Sequence, residues 1–181
     1  MPGEETSTSQ YARARAEALA LKQRVIAKFD FVPAGLQELN LRGNMLGDRG
    51  IVLLASVLEQ DRMIRVLDLA RTGFGEIGAV ALGAAMENMG ALEWLSLEWN
   101  LIGSGKGALG IATGLRNSIT LKCLDISECS LGDKGGSFIA SALAENEVLQ
   151  EIDLGSNRLS RETAEVGRCR LNPGRCWLNP G

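Results

Sequence analysis

Apolar residues recur along this chain in two alternating rhythms. A stretch of period two, Leu39 and Leu41, gives way after a turn to residues four apart, Leu54 and Leu58, and the pair of rhythms then starts again. Period two marks a strand with one buried face, and an i, i+4, i+8 stripe marks a helix packed along one side. The pattern predicts strand, turn and helix, several times over. Leu36-Gln-Glu-Leu39-Asn-Leu41-Arg-Gly-Asn44 aligns with Ile64-Arg-Val-Leu67-Asp-Leu69-Ala-Arg-Thr72 and with Leu92-Glu-Trp-Leu95-Ser-Leu97-Glu-Trp-Asn100. Leu121-Lys-Cys-Leu124-Asp-Ile126-Ser-Glu-Cys129 and Leu149-Gln-Glu-Ile152-Asp-Leu154-Gly-Ser-Asn157 complete the set. The anchors 39, 67, 95, 124 and 152 are 28, 28, 29 and 28 residues apart.

Each unit continues in phase. Leu46, Phe74, Ile102, Leu131 and Leu159 lie seven residues after their anchors, and four units then carry a glycine, Gly50, Gly78, Gly107 or Gly135. Apolar residues follow each glycine at four and eight positions: Leu54/Leu58, Leu82/Met86, Ile111/Leu115 and Ile139/Leu143. One strand and one helix cannot cover their own apolar faces, so the copies must stack and share a core. Asn44, Asn100 and Asn157 stand where the chain leaves the strand, a place for a side chain that satisfies buried backbone groups. Thr72 and Cys129 hold that place in the alternate units and are expected to weaken the ladder while still being accommodated in it.

This pattern resembles the leucine-rich repeat, in its longer ribonuclease-inhibitor-like class, over about residues 36–163. The resemblance implies an α/β solenoid, a horseshoe segment with a concave parallel β-sheet and convex α-helices. It names no single function, because the family shares a scaffold across ribonuclease inhibitor, NOD-like receptor sensing regions and Ran GTPase-activating protein.

The flanks divide the chain further. Residues 1–9 read as a disordered start, and residues 10–35 as a capping helix and linker. Tyr11, Ala14, Ala18, Leu21, Val25 and Phe29 form its stripe, with Arg13, Arg15, Lys22, Arg24 and Lys28 beside it. A basic amphipathic helix also suits an anionic membrane surface. After Leu159 no fifth helix is expected, since Ser160 to Val166 is short and polar. Residues 164–181 contain Arg168-Cys-Arg-Leu-Asn-Pro-Gly174 and its near copy Arg175-Cys-Trp-Leu-Asn-Pro-Gly181, whose turn residues argue for a disordered tail. The last repeat would then be uncapped, open to end-to-end or partner contact.

Composition narrows the chemistry. The 181 residues include no histidine, which removes the commonest general base and imidazole metal sites. A net charge of -3 argues against a nucleic-acid partner, and no apolar run approaches a membrane span. Four unevenly placed cysteines, 123, 129, 169 and 176, suit free thiols in a reducing, cytoplasmic setting better than a disulfide scaffold. Gly105-Lys-Gly-Ala-Leu-Gly110 imitates a dinucleotide-binding G-x-G-x-x-G, but Gly107 is the repeat glycine and Ile111 and Leu115 are its helix core. No cofactor, metal or catalytic residue is predicted.

The surface left to carry function is the concave face. If Leu39 and Leu41 point inward, their neighbours point out, giving the columns Glu38/Val66/Trp94/Cys123/Glu151, Asn40/Asp68/Ser96/Asp125/Asp153 and Arg42/Ala70/Glu98/Ser127/Gly155. Six carboxylates thus accompany one arginine, with Trp94 at the centre and Trp99 just beyond its strand. An aromatic ringed by like charge suits a partner protein with a basic segment. The predicted binding residues are Glu38, Arg42, Asp68, Trp94, Glu98, Trp99, Asp125, Glu151 and Asp153. The alternatives are a GTPase-activating regulator resembling Ran GTPase-activating protein, for which Arg42 and Arg71 are candidates, and a membrane-surface adaptor using the basic helix.

Overall fold

The computed structural model describes residues 35–163 and the strand Cys176–Trp177. The chain divides into Met1–Ala34 and Gly35–Gly181, and every described residue lies in the second unit. The predicted capping helix at 10–35 therefore lies outside the described residues apart from Gly35. From there strand and helix alternate: β1 (Glu38–Asn40), α1 (Gly47–Leu58), β2 (Val66–Asp68), α2 (Glu76–Met86) and β3 (Trp94–Ser96). Then follow α3 (Lys106–Asn117), β4 (Cys123–Asp125), α4 (Gly132–Glu145), β5 (Glu151–Asp153) and β6 (Cys176–Trp177).

All strands pair in parallel in sequence order. Parallel neighbours need a crossover, and the helix within each repeat supplies it. The repeat spacing becomes strand register: Leu39 pairs with Leu67, Leu67 with Leu95, Leu95 with Leu124 and Leu124 with Ile152. The extra residue of the third unit is absorbed before the helix, so the register is unbroken. The predicted α/β leucine-rich-repeat solenoid is the fold observed.

The core lies between sheet and helices. Leu67, Leu69, Phe74, Leu82, Leu95, Leu97, Ile102, Ile111, Leu115 and Ile126 are fully buried, while Leu39, Leu41, Leu46 and Leu54 of the first repeat are only partly so. Each middle repeat has neighbours on two sides to cover it.

Two expectations about the C-terminal side need correcting. Residues 161–163 are helical, and the Ser160 hydroxyl accepts the Thr163 N–H at 3.3 Å, an N-cap arrangement that opens a fifth helix. The stretch has no apolar stripe, and its helical signal is the capping serine instead. Within the tail, Cys176–Trp177 is regular structure, Cys176 pairing with Ile152 and Trp177 with Asp153. In the sequence the two Asn-Pro-Gly triplets lie on either side of this short strand. The partner edge of β5, expected to be uncapped, is thus occupied along those two residues.

The asparagine ladder accommodates Thr72 and Cys129 by sharing the work between repeats. Asn100 Oδ1 accepts the N–H groups of Thr72 and Gly73, while its Nδ2 donates to Leu69 and Leu97 carbonyls, so one side chain serves two repeats. Asn157 does the same for Cys129, Leu131, Ile126 and Leu154. Thr72 and Cys129 need supply only a hydroxyl to Leu69 and a thiol to Leu97 and Ser127 carbonyls. The alternation of residue types is a division of labour.

Candidate interaction surface

The outward columns come together as predicted. Glu38, Val66, Trp94, Cys123 and Glu151 stand side by side in register, as do Asn40, Asp68, Ser96, Asp125 and Asp153. Strand spacing of about 4.8 Å sets neighbouring members of a column within reach of one another.

The second column is partly committed to the backbone. Oδ1 of Asn40, Asp68, Asp125 and Asp153 each accepts the N–H two residues on, from Arg42, Ala70, Ser127 and Gly155 at 2.8–3.0 Å. These Asx turns bend the chain out of each strand. One residue beyond that N–H position, Arg71, Trp99, Glu128 and Ser156 occupy left-handed backbone at φ 54–59°, where the first repeat has Gly43. Half of the acidic character assigned to partner binding therefore also shapes the loops.

Arg42 is not free for a partner. It reaches across the buried Ala70 to place Nη2 2.5 Å from Glu98 Oε2, with Nη1 3.9 Å from Asp68 Oδ2. The hydrogen bond to Glu98 holds its guanidinium above the usual value, and the charges of Glu98, Asp68 and Asp125 act in the same direction. At the other end of the face Asp153 is also pushed up, by burial first and then by the charges of Asp125 and Glu98, against the opposing Gly155 hydrogen bond. Cys123 Sγ lies 3.7 Å from Glu151 Oε2, and Glu38 is exposed at the first strand.

The two tryptophans differ from expectation. Trp94 is half-buried in its column, while Trp99 is 51% exposed, with the Arg71 guanidinium 5.2 Å from its ring centroid. Both arginines considered for GTPase activation are thus engaged, Arg42 with carboxylates and Arg71 with an aromatic face. The sign of Trp99's placement was present in the sequence: it shares its repeat position with Gly43.

Glycine sites elsewhere serve packing. A Cβ at Gly107 would fall 2.2 Å from the Ile102 carbonyl oxygen, and one at Gly110 2.8 Å from Val80 Cα. The start of α3, where a phosphate would sit, already holds the Glu76 carboxylate, which accepts the Lys106 N–H at 3.1 Å. This belongs to a device that sequence reasoning missed. None of α1–α4 has a capping side chain of its own. Asp48 instead accepts the Gly75 and Gly78 N–H groups at the start of α2, and Asp133 accepts that of Ser160. The carboxylates stand nine residues after their anchors, and each caps the helix of the following repeat. Cys129 is buried, which pushes its thiol up to about 12, so it is no nucleophile. Among the described residues no group of three His, Cys, Asp or Glu is placed to hold a metal ion, and no helix is long and apolar enough to cross a membrane.

Comparison with known proteins places this geometry. The family model "Leucine Rich repeat" matches residues 36–55 and 117–140. The human NACHT, LRR and PYD domains-containing protein 14 is 32% identical over 123 residues, 67% of this chain and 11% of that protein. The bovine Tonsoku-like protein is 32% identical over 143 residues, 74% of this chain and 10% of its own length. The chain thus spans about a tenth of the curated relatives it matches. Among solved structures, the Caenorhabditis elegans tropomodulin C-terminal domain superposes with a TM-score of 0.66 at 19% identity, covering 84% of this chain and 92% of that one. That likeness is one of fold.

Proposed function

The chain is a leucine-rich-repeat protein, and on that premise we propose that it is a non-catalytic interaction module whose open sheet face binds a basic segment of a partner protein. Proteins with this repeat generally mediate protein–protein contact; the face and the kind of partner are our reading. The observation that carries it is the field of the carboxylate columns. Register sets Glu38 and Glu151 in one column and Asp68, Asp125 and Asp153 in the next, with Glu98 beside them, and a partner's cation would meet their summed field. The half-buried Trp94 supplies an apolar anchor in the middle of it. Our reading is also of a cytoplasmic protein, in keeping with the few, unevenly placed cysteines of the chain.

The test compares wild type with a Trp94→Ala/Asp125→Asn variant as bait, at low and moderate salt. Asparagine keeps the turn to Ser127 while removing the charge. Proteins held by wild type, lost with salt and lost by the variant would support the face, and Trp94→Ala alone should weaken their affinity by about 2 kcal/mol, roughly 30-fold. Equal retention by both baits would move the function away from this surface.

A further inference from the structure

Among the residues of the three outward columns, Arg42 alone is basic. Its carboxylate partner does not come from the next repeat in its own column. The side chain passes over Ala70, which is fully buried and ends at Cβ, and reaches Glu98 of the third repeat. Nη2 lies 2.5 Å from Glu98 Oε2 and Nη1 3.9 Å from Asp68 Oδ2, so one guanidinium spans carboxylates of two repeats. The carboxylates are the better shielded members of the group: side-chain exposure is 20% for Glu98 and 12% for Asp68, against 41% for Arg42. The cation therefore covers them from the solvent side. It is also rooted in the first repeat, where Leu39 and Leu41 are only partly buried. The β5 end of the face differs. Asp125 and Asp153 stand side by side in register, and among the described residues no Lys or Arg lies within ion-pair distance of either.

We propose that Arg42 is a tethered occupant of a place meant for the partner: the segment bound by the sheet face carries an arginine that displaces Arg42 from Glu98 and Asp68. The inference rests on the reading of this face as the binding surface. The chemistry of the incoming group follows from the group that leaves. Glu98 and Asp68 belong to successive repeats, and a planar fork of N–H donors serves both at once, which a compact ammonium does less well. The exchange swaps one guanidinium for another and leaves no carboxylate uncovered. It does not disturb the fold, because the turn at Arg42 is held by its backbone N–H, which donates to Asn40 Oδ1 at 3.0 Å. An exposed ion pair adds little to stability, so the released side chain is lost to water at small cost. Until it is displaced, Arg42 neutralises the β1–β3 half of the face, and a sparsely charged segment meets only the Asp125 and Asp153 end. A cation competing for a place that is vacant part of the time binds more weakly by that fraction. For a pair of ordinary exposed strength the weakening is about fivefold.

Fluorescein-labelled hexa-arginine and hexa-lysine peptides, titrated against the full chain at low salt and read by fluorescence anisotropy, test this. Arg42→Gln keeps the backbone N–H to Asn40 and should bind hexa-arginine about fivefold more tightly than wild type, with an unchanged circular-dichroism melt. Arg65→Gln removes the same charge from a pair with Glu93 outside the columns and should leave affinity nearly unchanged. On an Asp68→Asn/Glu98→Gln background, where asparagine keeps the turn to Ala70, the gain from Arg42→Gln should vanish. That cycle separates displacement from a general loss of positive charge. Hexa-lysine should gain less than hexa-arginine. Equal affinity of wild type and Arg42→Gln, an equal gain from Arg65→Gln, a gain that persists without the two carboxylates, or no binding by Arg42→Gln would each overturn the tether. A hexa-lysine gain as large as the hexa-arginine one would overturn its assignment to an arginine. The face itself is judged separately by Trp94→Ala/Asp125→Asn. If that variant holds the peptide as well as wild type, the reading of the wider face fails, whatever Arg42 does.

Discussion

Single side chains in this protein work between repeats. Asn100 joins two loops with one amide, Asp48 and Glu76 cap helices that belong to the next repeat, and Arg42 spans from the first repeat to the third. Asp153 shows how such sharing sets a charge balance. Its carboxyl is raised by burial and by Asp125 and Glu98, so it contributes stability in acid that is lost as pH rises through its folded value. Asparagine at 153 keeps the acceptor for the Gly155 N–H and removes the charge. Asp153→Asn should therefore be at least as stable as wild type at neutral pH, the difference closing below about pH 4, where the carboxyl is protonated in the unfolded chain too. Urea titrations at both pH values check this, and a wild type clearly more stable at neutral pH would contradict it. Asp133 has the opposite sign: the Ser160 N–H lowers it, so its cap is present above the ordinary carboxylate range and lost as pH falls through the folded value.

At the scale of elements, glycine decides how closely the helices approach. A Cβ at Gly83 would lie 2.1 Å from the Gly110 carbonyl oxygen, and one at Gly114 2.3 Å from that of Gly83, backbone against backbone. Glycine inside a helix ordinarily costs about 1 kcal/mol relative to alanine. Here contact reverses the sign. Gly83→Ala should destabilise by about 2 kcal/mol, because α2 and α3 must separate and loosen the core beneath them. A thermal or urea midpoint at or above the wild-type value would show that the helices can shift at little cost. The imitation of a dinucleotide motif at Gly105–Gly110 has the same explanation, since its glycines admit the neighbouring helix and the Glu76 carboxylate occupies the helix start.

Across the described unit, burial depends on place in the stack. Leu95 and Leu39 hold the same position in the repeat, yet Leu95 is fully buried and Leu39 only partly. Stability in such an array is a sum of repeat and interface contributions. Leu95→Ala should cost about 3 kcal/mol and Leu39→Ala about half of that, measured by urea unfolding. Equal costs would mean that the first repeat is covered as well as the third. The acidic surface is likewise a product of the stack. Five similar strands in register turn isolated acidic residues into one field.

The linear pattern alone carried the strands, the helices, the repeat spacing and the inward leucines, because each depends on local periodicity and on burial shared between like units. It also carried which residues would share a column, since equal spacing becomes register once parallel strands pair. What each column member does was not legible. That Arg42 is tied to Glu98 across Ala70, that Trp99 and not Trp94 stands exposed, and that the helix caps come from the preceding repeat all depend on distances between residues some 27 to 56 apart in the chain. The start of a fifth helix at Ser160 was legible as a cap but not as a stripe, and the pairing of Cys176–Trp177 with β5 depended on an edge that forms only when five earlier strands are in place. Periodicity is a property of neighbours in sequence; pairing of charge and exposure is a property of neighbours in space.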